Sequence, residues 1–129
     1  MLRVALTGSG GFLGWHVRVL LRALGWPEPT RITGTDLADP AALAVKLAGA
    51  DRIVHLAGVN RGSPVEVAGG NVRLAGALAE GVRRAATPPA ALVFANSVQA
   101  GNGTPYGDSK AAAADILGHL PVPLVDVRL

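Results

Sequence analysis

The chain contains one tyrosine, Tyr106, and four residues later stands Lys110, one of only two lysines among twelve basic residues. On a helix that spacing puts both side chains on one face, where the ammonium can lower the phenol's pKa from its usual value of about 10 and ready it for proton transfer. Upstream, Ser97 follows an apolar segment, Ala91 to Ala95, that reads as a strand. In a doubly wound fold the carboxyl ends of the strands are where ligands bind, and a hydroxyl there can hydrogen-bond a reacting carbonyl oxygen. An amphipathic helix start and a turn serine are the plainer explanations of the same residues.

A second constellation is glycine-rich: Gly8, Gly10, Gly11 and Gly14 lie between the short apolar run Leu2 to Leu6 and an apolar series at helical spacing, Leu13, Val17, Leu20, Leu21 and Leu24. Strand, glycine turn and helix in that order form a cradle for a pyrophosphate. One glycine allows the sharp turn, the next allows the backbone to approach the ligand, the third lets helix pack on strand, and free N–H groups at the helix start receive the charge. A plain tight turn would not need so many glycines, each costly in backbone entropy. Asp36, roughly 20 residues beyond the last glycine, is placed to accept hydrogen bonds from an adenosine ribose and to repel a 2′-phosphate, which favours NAD over NADP. A turn-capping role is the alternative for Asp36, and Asp39 reads as the cap of the next helix.

The elements that must position these residues alternate along the chain. Further strands fit Arg31 to Thr35, Asp51 to Leu56, Ala91 to Ala95 and Val122 to Leu129. Between them, helices fit the stretch from Asp39-Pro40 to Gly49, about Val65 to Ala86, weakened early by Gly69-Gly70, and about Tyr106 to Leu117. Such alternation predicts an α/β fold, a Rossmann-like doubly wound parallel sheet of about five strands in the order 2-1-3-4-5, with helices on both faces.

With 129 residues, 50% of them apolar and 16% charged, the chain is one domain's worth of packed globule, residues 1–129 forming a dinucleotide-binding unit. No apolar run reaches the roughly 18 residues that cross a bilayer, so the expectation is no membrane partner and a cytoplasmic protein. The absence of cysteine excludes thiolate catalysis and cysteine metal sites, and His16 and His119 have no paired spacing for a metal. A net charge of +3 with scattered basic residues and 4% aromatics gives neither a basic stripe nor a stacking platform, so no nucleic-acid partner is expected. His55, ending the third strand, reads as a packing and loop-bonding residue rather than an acid or base.

Taken together, Thr7-Gly8-x-x-Gly11-x-x-Gly14, His55-Leu56-Ala57-Gly58, Ser97 and Tyr106-x-x-x-Lys110 resemble the extended short-chain dehydrogenase/reductase family, the sugar-nucleotide epimerases and dehydratases. More narrowly, His55 to Arg61, Gly70-Asn71, Ser97 to Ala100 and Tyr106-Gly107-x-Ser109-Lys110 look like the capsular-polysaccharide reductase/epimerases that act on UDP-linked 4-keto-hexosamines. The resemblance implies Tyr106 as proton donor or acceptor, Ser97 orienting the substrate oxygen, and Lys110 contacting the nicotinamide ribose. It also implies a dinucleotide, NAD or alternatively NADP, held by Gly8, Gly10, Gly11, Phe12, Leu13, Gly14, Asp36, Leu56, Ala57, Gly58 and Lys110, and a nucleotide-sugar substrate. Asn71 matches the family's asparagine on the central helix. Asn96 stands where a second serine is common, Ala114 where an acid often follows the lysine, and Asp36 where the capsular subgroup can carry a base. Family members continue past the fifth strand into a substrate lobe absent from this chain, so the sheet is expected to be incomplete at its C-terminal side, with exposed apolar surface and self-association or a homodimer. The alternative function is a non-catalytic dinucleotide-binding module or a truncated fragment.

Overall fold

The computed structural model describes every residue from Met1 to Leu129. Five strands, β1 (Val4–Thr7), β2 (Thr30–Ile32), β3 (Arg52–His55), β4 (Ala91–Asn96) and β5 (Leu124–Arg128), form one parallel sheet in the order β2-β1-β3-β4-β5. The helices are α1 (Phe12–Ala23), α2 (Gly34–Leu37), α3 (Pro40–Ala48), α4 (Pro64–Arg84) and α5 (Pro105–Gly118). The strand order is that expected from the apolar runs and their punctuation, and so are the elements apart from the short helix α2, which stands where a strand end was expected.

Several elements differ from expectation in their bounds: β1 runs Val4–Thr7 rather than Leu2 to Leu6, and β5 runs Leu124–Arg128 rather than Val122 to Leu129. The second strand stops at Ile32 rather than Thr35, because Thr33 and Asp36 form a reciprocal capping box that opens α2 instead. The central helix begins at Pro64, one residue before the expected start. Ser63 caps it by accepting the Glu66 N–H while the Glu66 carboxylate returns to the Ser63 N–H, and Pro64 occupies the first-turn position that lacks a use for its missing N–H. These contacts hold the first turn despite Gly69 and Gly70.

The core lies on one face of the sheet. Leu43 and Leu47 of α3, Leu78, Ala79 and Val82 of α4, and Ala113 and Leu117 of α5 pack over Ile53, Leu92 and Phe94. The alternating burial of β4, with Leu92, Phe94 and Asn96 buried and Ala91, Val93 and Ala95 half-buried, records the difference between the two faces. A right-handed crossover leading outward to β2 puts α1 on the opposite face from α3, α4 and α5. There it stands largely alone: Gly14 is its only buried residue, while Phe12, Trp15, Leu20 and Leu24 are each more than half exposed. The expectation of helices covering both faces therefore holds for β1, all of whose residues are buried, and fails at β5, where Val125, Val127 and the following Leu129 are exposed. No helix is long and apolar enough to cross a membrane.

Leu78 is fully buried where α4 meets the sheet and its neighbours. Leu78→Ala should lower the free energy of unfolding by about 2–5 kcal/mol, read as a reduced midpoint in urea denaturation.

Candidate functional site

Parallel pairing aligns the strands so that Thr7 lies opposite His55 and His55 opposite Phe94, and the chain leaves β1, β3 and β4 at one edge of the sheet. A cavity of about 610 Å³ opens there, lined by the loops that follow these three strands together with α4 and α5. Three walls enclose it.

The first wall is the glycine turn. Gly8 has a φ of 68°, the left-handed region that disfavours a side chain, and a Cβ built on it would lie 2.7 Å from the Ala57 nitrogen. A Cβ on Gly14 would collide with the Gly8 carbonyl, so the start of α1 can sit on the turn only because that side chain is missing. Gly11 differs: a Cβ there would meet only the Gly8 oxygen, at 3.5 Å, and the residue faces the cavity. Gly11 is also the N-cap of α1 and supplies no side-chain bond to the first-turn N–H groups. Open space over a residue without a side chain, beside uncapped amides, fits an anionic ligand such as a pyrophosphate. Phe12, Leu13 and Gly14 complete this wall.

Two of the expected contacts are not brought to the cavity. Gly10 is not among its lining residues and faces open space. Asp36 is nearly buried elsewhere: its Oδ2 accepts the Thr33 N–H at 2.8 Å and the Thr33 hydroxyl at 2.9 Å, and pairs with Lys46 Nζ at 2.7 Å. The Lys46 ammonium, then the Thr33 amide, hold the Asp36 carboxyl below its usual range. Its position in the sequence suits a ribose; in the structure its Oδ2 is taken up by the local Thr33-x-x-Asp36 capping geometry and by the lysine one helix away.

The second wall is the loop after β3, with Leu56, Ala57, Gly58, Val59 and Asn60. It is tied to the first through Thr7, whose hydroxyl oxygen accepts the Leu56 N–H at 3.0 Å and the Ala57 N–H at 3.1 Å and lies 2.6 Å from His55 Nδ1. Asn71 on α4 brackets the same loop, accepting the Val59 N–H at 2.7 Å and donating to the Val59 carbonyl at 2.9 Å. Its amide also donates to Ser109 Oγ at 2.9 Å, and that hydroxyl donates to the Tyr106 carbonyl at 2.7 Å. Loop, α4 and the first turn of α5 are thereby joined.

The third wall holds the candidate chemistry: Ser97, Tyr106 and Lys110 all line the cavity. Thr104 caps α5 by accepting the Gly107 N–H at 3.0 Å, and Pro105 stands in its first turn, which sets Tyr106 at the mouth. Ser97 Oγ accepts the Gln99 N–H at 3.1 Å, leaving its own hydrogen free to donate. Lys110 Nζ donates to the Ala95 carbonyl at 2.6 Å and lies 4.3 Å from the centre of the Phe94 ring. Burial holds the Lys110 ammonium below its ordinary value, opposed by the Asp126 carboxylate. Its hydrogen bond runs to the strand end rather than to the phenol. Asn96 Oδ1 accepts the Ser97 N–H at 2.8 Å, and its Nδ2 is buried without a partner.

Val59, Asn60, Leu74, Asn96 and Leu129 also line the cavity and were not expected there as ligand contacts. Val59 and Asn60 extend a loop already singled out, and Leu74 lies one helical turn beyond Asn71 on the same face of α4.

No family model matches the chain. Over 119 residues it is 36% identical to a UDP-2-acetamido-2,6-beta-L-arabino-hexul-4-ose reductase of Pseudomonas aeruginosa, an alignment covering 90% of this chain and 31% of that protein. The fold matches the Bordetella bronchiseptica enzyme WbmG, solved in complex with NAD and UDP, with a TM-score of 0.79 at 20% identity, over 98% of this chain and 52% of that one. A human epimerase family protein solved with NADPH matches with a TM-score of 0.76 at 26% identity, over 98% of this chain and 53% of that one. The chain spans about a third of the curated relative and about half of these solved structures.

Gly14→Ala should lower the melting temperature sharply because the new methyl meets backbone, while Gly10→Ala, with open space around it, should leave the melt nearly unchanged. Equal melting of the two variants would contradict the packing described. Burial, with a smaller contribution from the Lys110 charge, pushes His55 from 6.5 down to about 3. The unfolded chain therefore takes up a proton below pH 6.5 that the folded chain refuses until about pH 3, so stability falls as pH drops across that window. Urea denaturation at stepped pH should show this slope, and His55→Phe should flatten it.

Proposed function

We propose that this chain, which resembles the N-terminal part of the extended short-chain dehydrogenase/reductases in both sequence and fold, is the dinucleotide-binding and catalytic half of an NAD(P)-dependent enzyme acting on a nucleotide-linked sugar. The reaction class is reduction, epimerisation or dehydration at a hexose carbon. One observation carries the reading: the glycine turn with its open, uncapped amides and the set Ser97, Tyr106 and Lys110 face the same cavity.

A nicotinamide dinucleotide bound there would supply or accept the hydride. The chain's own residues have three tasks. The glycine turn and the start of α1 bind the pyrophosphate through backbone N–H groups. Ser97, whose hydrogen is free, donates to the sugar oxygen and orients the carbon that gains or loses hydride. Tyr106 gives a proton to that oxygen when the carbonyl is reduced and takes it when the alcohol is oxidised. Lys110, with one hydrogen committed to Ala95, keeps two for a ribose hydroxyl and the phenol side of the cavity. Cofactor choice is not assigned to Asp36, because Thr33 and Lys46 already engage its carboxylate.

Calorimetric titration of this chain should give saturable binding of NADH and of NADPH, with Asp36→Asn leaving the ratio of the two affinities unchanged. In an enzyme that joins this chain to a substrate-binding part, Tyr106→Phe should leave NADH affinity within about twofold yet abolish NADH consumption with a UDP-linked 4-keto-hexosamine. Absence of binding by either dinucleotide would overturn the reading, as would undiminished turnover in Tyr106→Phe.

A further inference from the structure

We infer that His55 is a positioning residue for the cleft, held as the neutral tautomer with its proton on Nε2, and that it acts by fixing the direction of the Thr7 hydroxyl. A threonine hydroxyl has one hydrogen and two lone pairs. Thr7 Oγ1 accepts from the amides of Leu56 and Ala57, at 3.0 Å and 3.1 Å, which uses both lone pairs. Its hydrogen must then go to the remaining partner, His55 Nδ1, 2.6 Å away. Nδ1 is therefore a bare acceptor, and the proton of the neutral ring sits on Nε2.

The alternative arrangements cost a loop contact. A ring carrying hydrogen on Nδ1, whether as the other tautomer or as the cation, would ask Thr7 Oγ1 to accept a third time. The hydroxyl would turn, and one of the two loop amides would lose its acceptor. Thr7 is fully buried and His55 is 1% exposed, so the hydroxyl and the ring have no water to turn to, and the loop amide that loses Thr7 gives up its protein acceptor. The imidazole is also held in orientation, stacked on Phe94 with centroids 5.5 Å apart and planes 20° from parallel. The Lys110 ammonium over that same Phe94 ring discourages a second positive charge beside it.

What this fixes is the distance between two walls of the cavity. Thr7 runs directly into Gly8, and the Ala57 amide it holds is the atom lying 2.7 Å from where a Gly8 side chain would begin. His55 lies outside the cavity lining and touches neither candidate ligand, yet sets the spacing of the turn and loop that would hold a dinucleotide between them. Only the effect on affinity rests on the function proposed above; the tautomer and the loop contacts do not.

The test has two independent arms on the whole chain. Long-range proton–nitrogen correlation across the imidazole rings of the labelled protein at neutral pH should give His55 an unprotonated Nδ1 and a protonated Nε2, and an Nδ1–H or doubly protonated ring would overturn the inference. In the second arm, Thr7→Val and His55→Phe should each speed amide exchange at Leu56 and Ala57 and weaken NADH binding about tenfold, with the double variant no worse than either single one, while Thr7→Ser restores both readouts. Independent, multiplying effects, or unchanged exchange in folded Thr7→Val, would overturn the coupling. Loss of NADH binding by the parent chain itself would overturn the dinucleotide reading, and the tautomer and exchange measurements would still decide the role of His55.

Discussion

The register that sets Thr7 beside His55, and His55 beside Phe94, in adjacent parallel strands is the constraint on which the remaining geometry depends. Parallel pairing makes all strands end at one edge, so three unrelated loops arrive together without any sequence proximity. Sliding β1 against β3 by one residue would reverse the faces of every side chain and send the Thr7 hydroxyl away from the Leu56 and Ala57 amides. The same slip would move Gly8 away from Ala57 and fill the core face with the half-buried residues Arg52 and Val54. Burial and site geometry thus specify the same register.

Stability and reactivity are divided between the two faces. α3, α4 and α5 cover one face with a continuous apolar layer, and from that layer Asn71 and Lys110 reach the strand ends. Most polar side chains buried at this junction are bonded, Thr7 with His55, Asn71 with Ser109 and Lys110 with the Ala95 carbonyl, while Asn96 Nδ2 has no partner. In a site shielded from water such bonds restrict each group to one orientation, because the unbonded alternatives are costly. The other face carries only α1, most of whose apolar residues remain exposed together with those of β5. The glycine turn that α1 follows is held from both sides, by Thr7 and Ala57 toward β3 and by Gly14 and Arg18 of α1.

Much of the site was legible because it is local. The glycine spacing announced a strand-turn-helix cradle, and the Tyr106 to Lys110 interval announced one helical face; both side chains line the cavity. Ser63-x-x-Glu66 and Thr33-x-x-Asp36 are equally local, and reading them as capping boxes would have corrected the start of α4 and the end of β2. Asp36 is where distance along the chain does not by itself decide the partner. Distance along the chain brings a carboxylate near the end of the second strand, but its partner is decided by which donors surround it, and Lys46 comes from a helix ten residues away.

The amino-acid sequence by itself determined the alternation of strand and helix, the order of the sheet and the residue types gathered at its carboxyl edge, because periodicity, caps and glycine turns act over a few neighbours. Tertiary structure alone decided which hydrogen-bonding atoms are spent and which are free. Lys110 bonds to Ala95, Asn71 bridges Val59 and Ser109, and Thr7 meets His55 across 48 residues of chain. A buried donor or acceptor is satisfied by whatever folding brings within about 3 Å, and that proximity exists only after the strands have paired and the helices have packed.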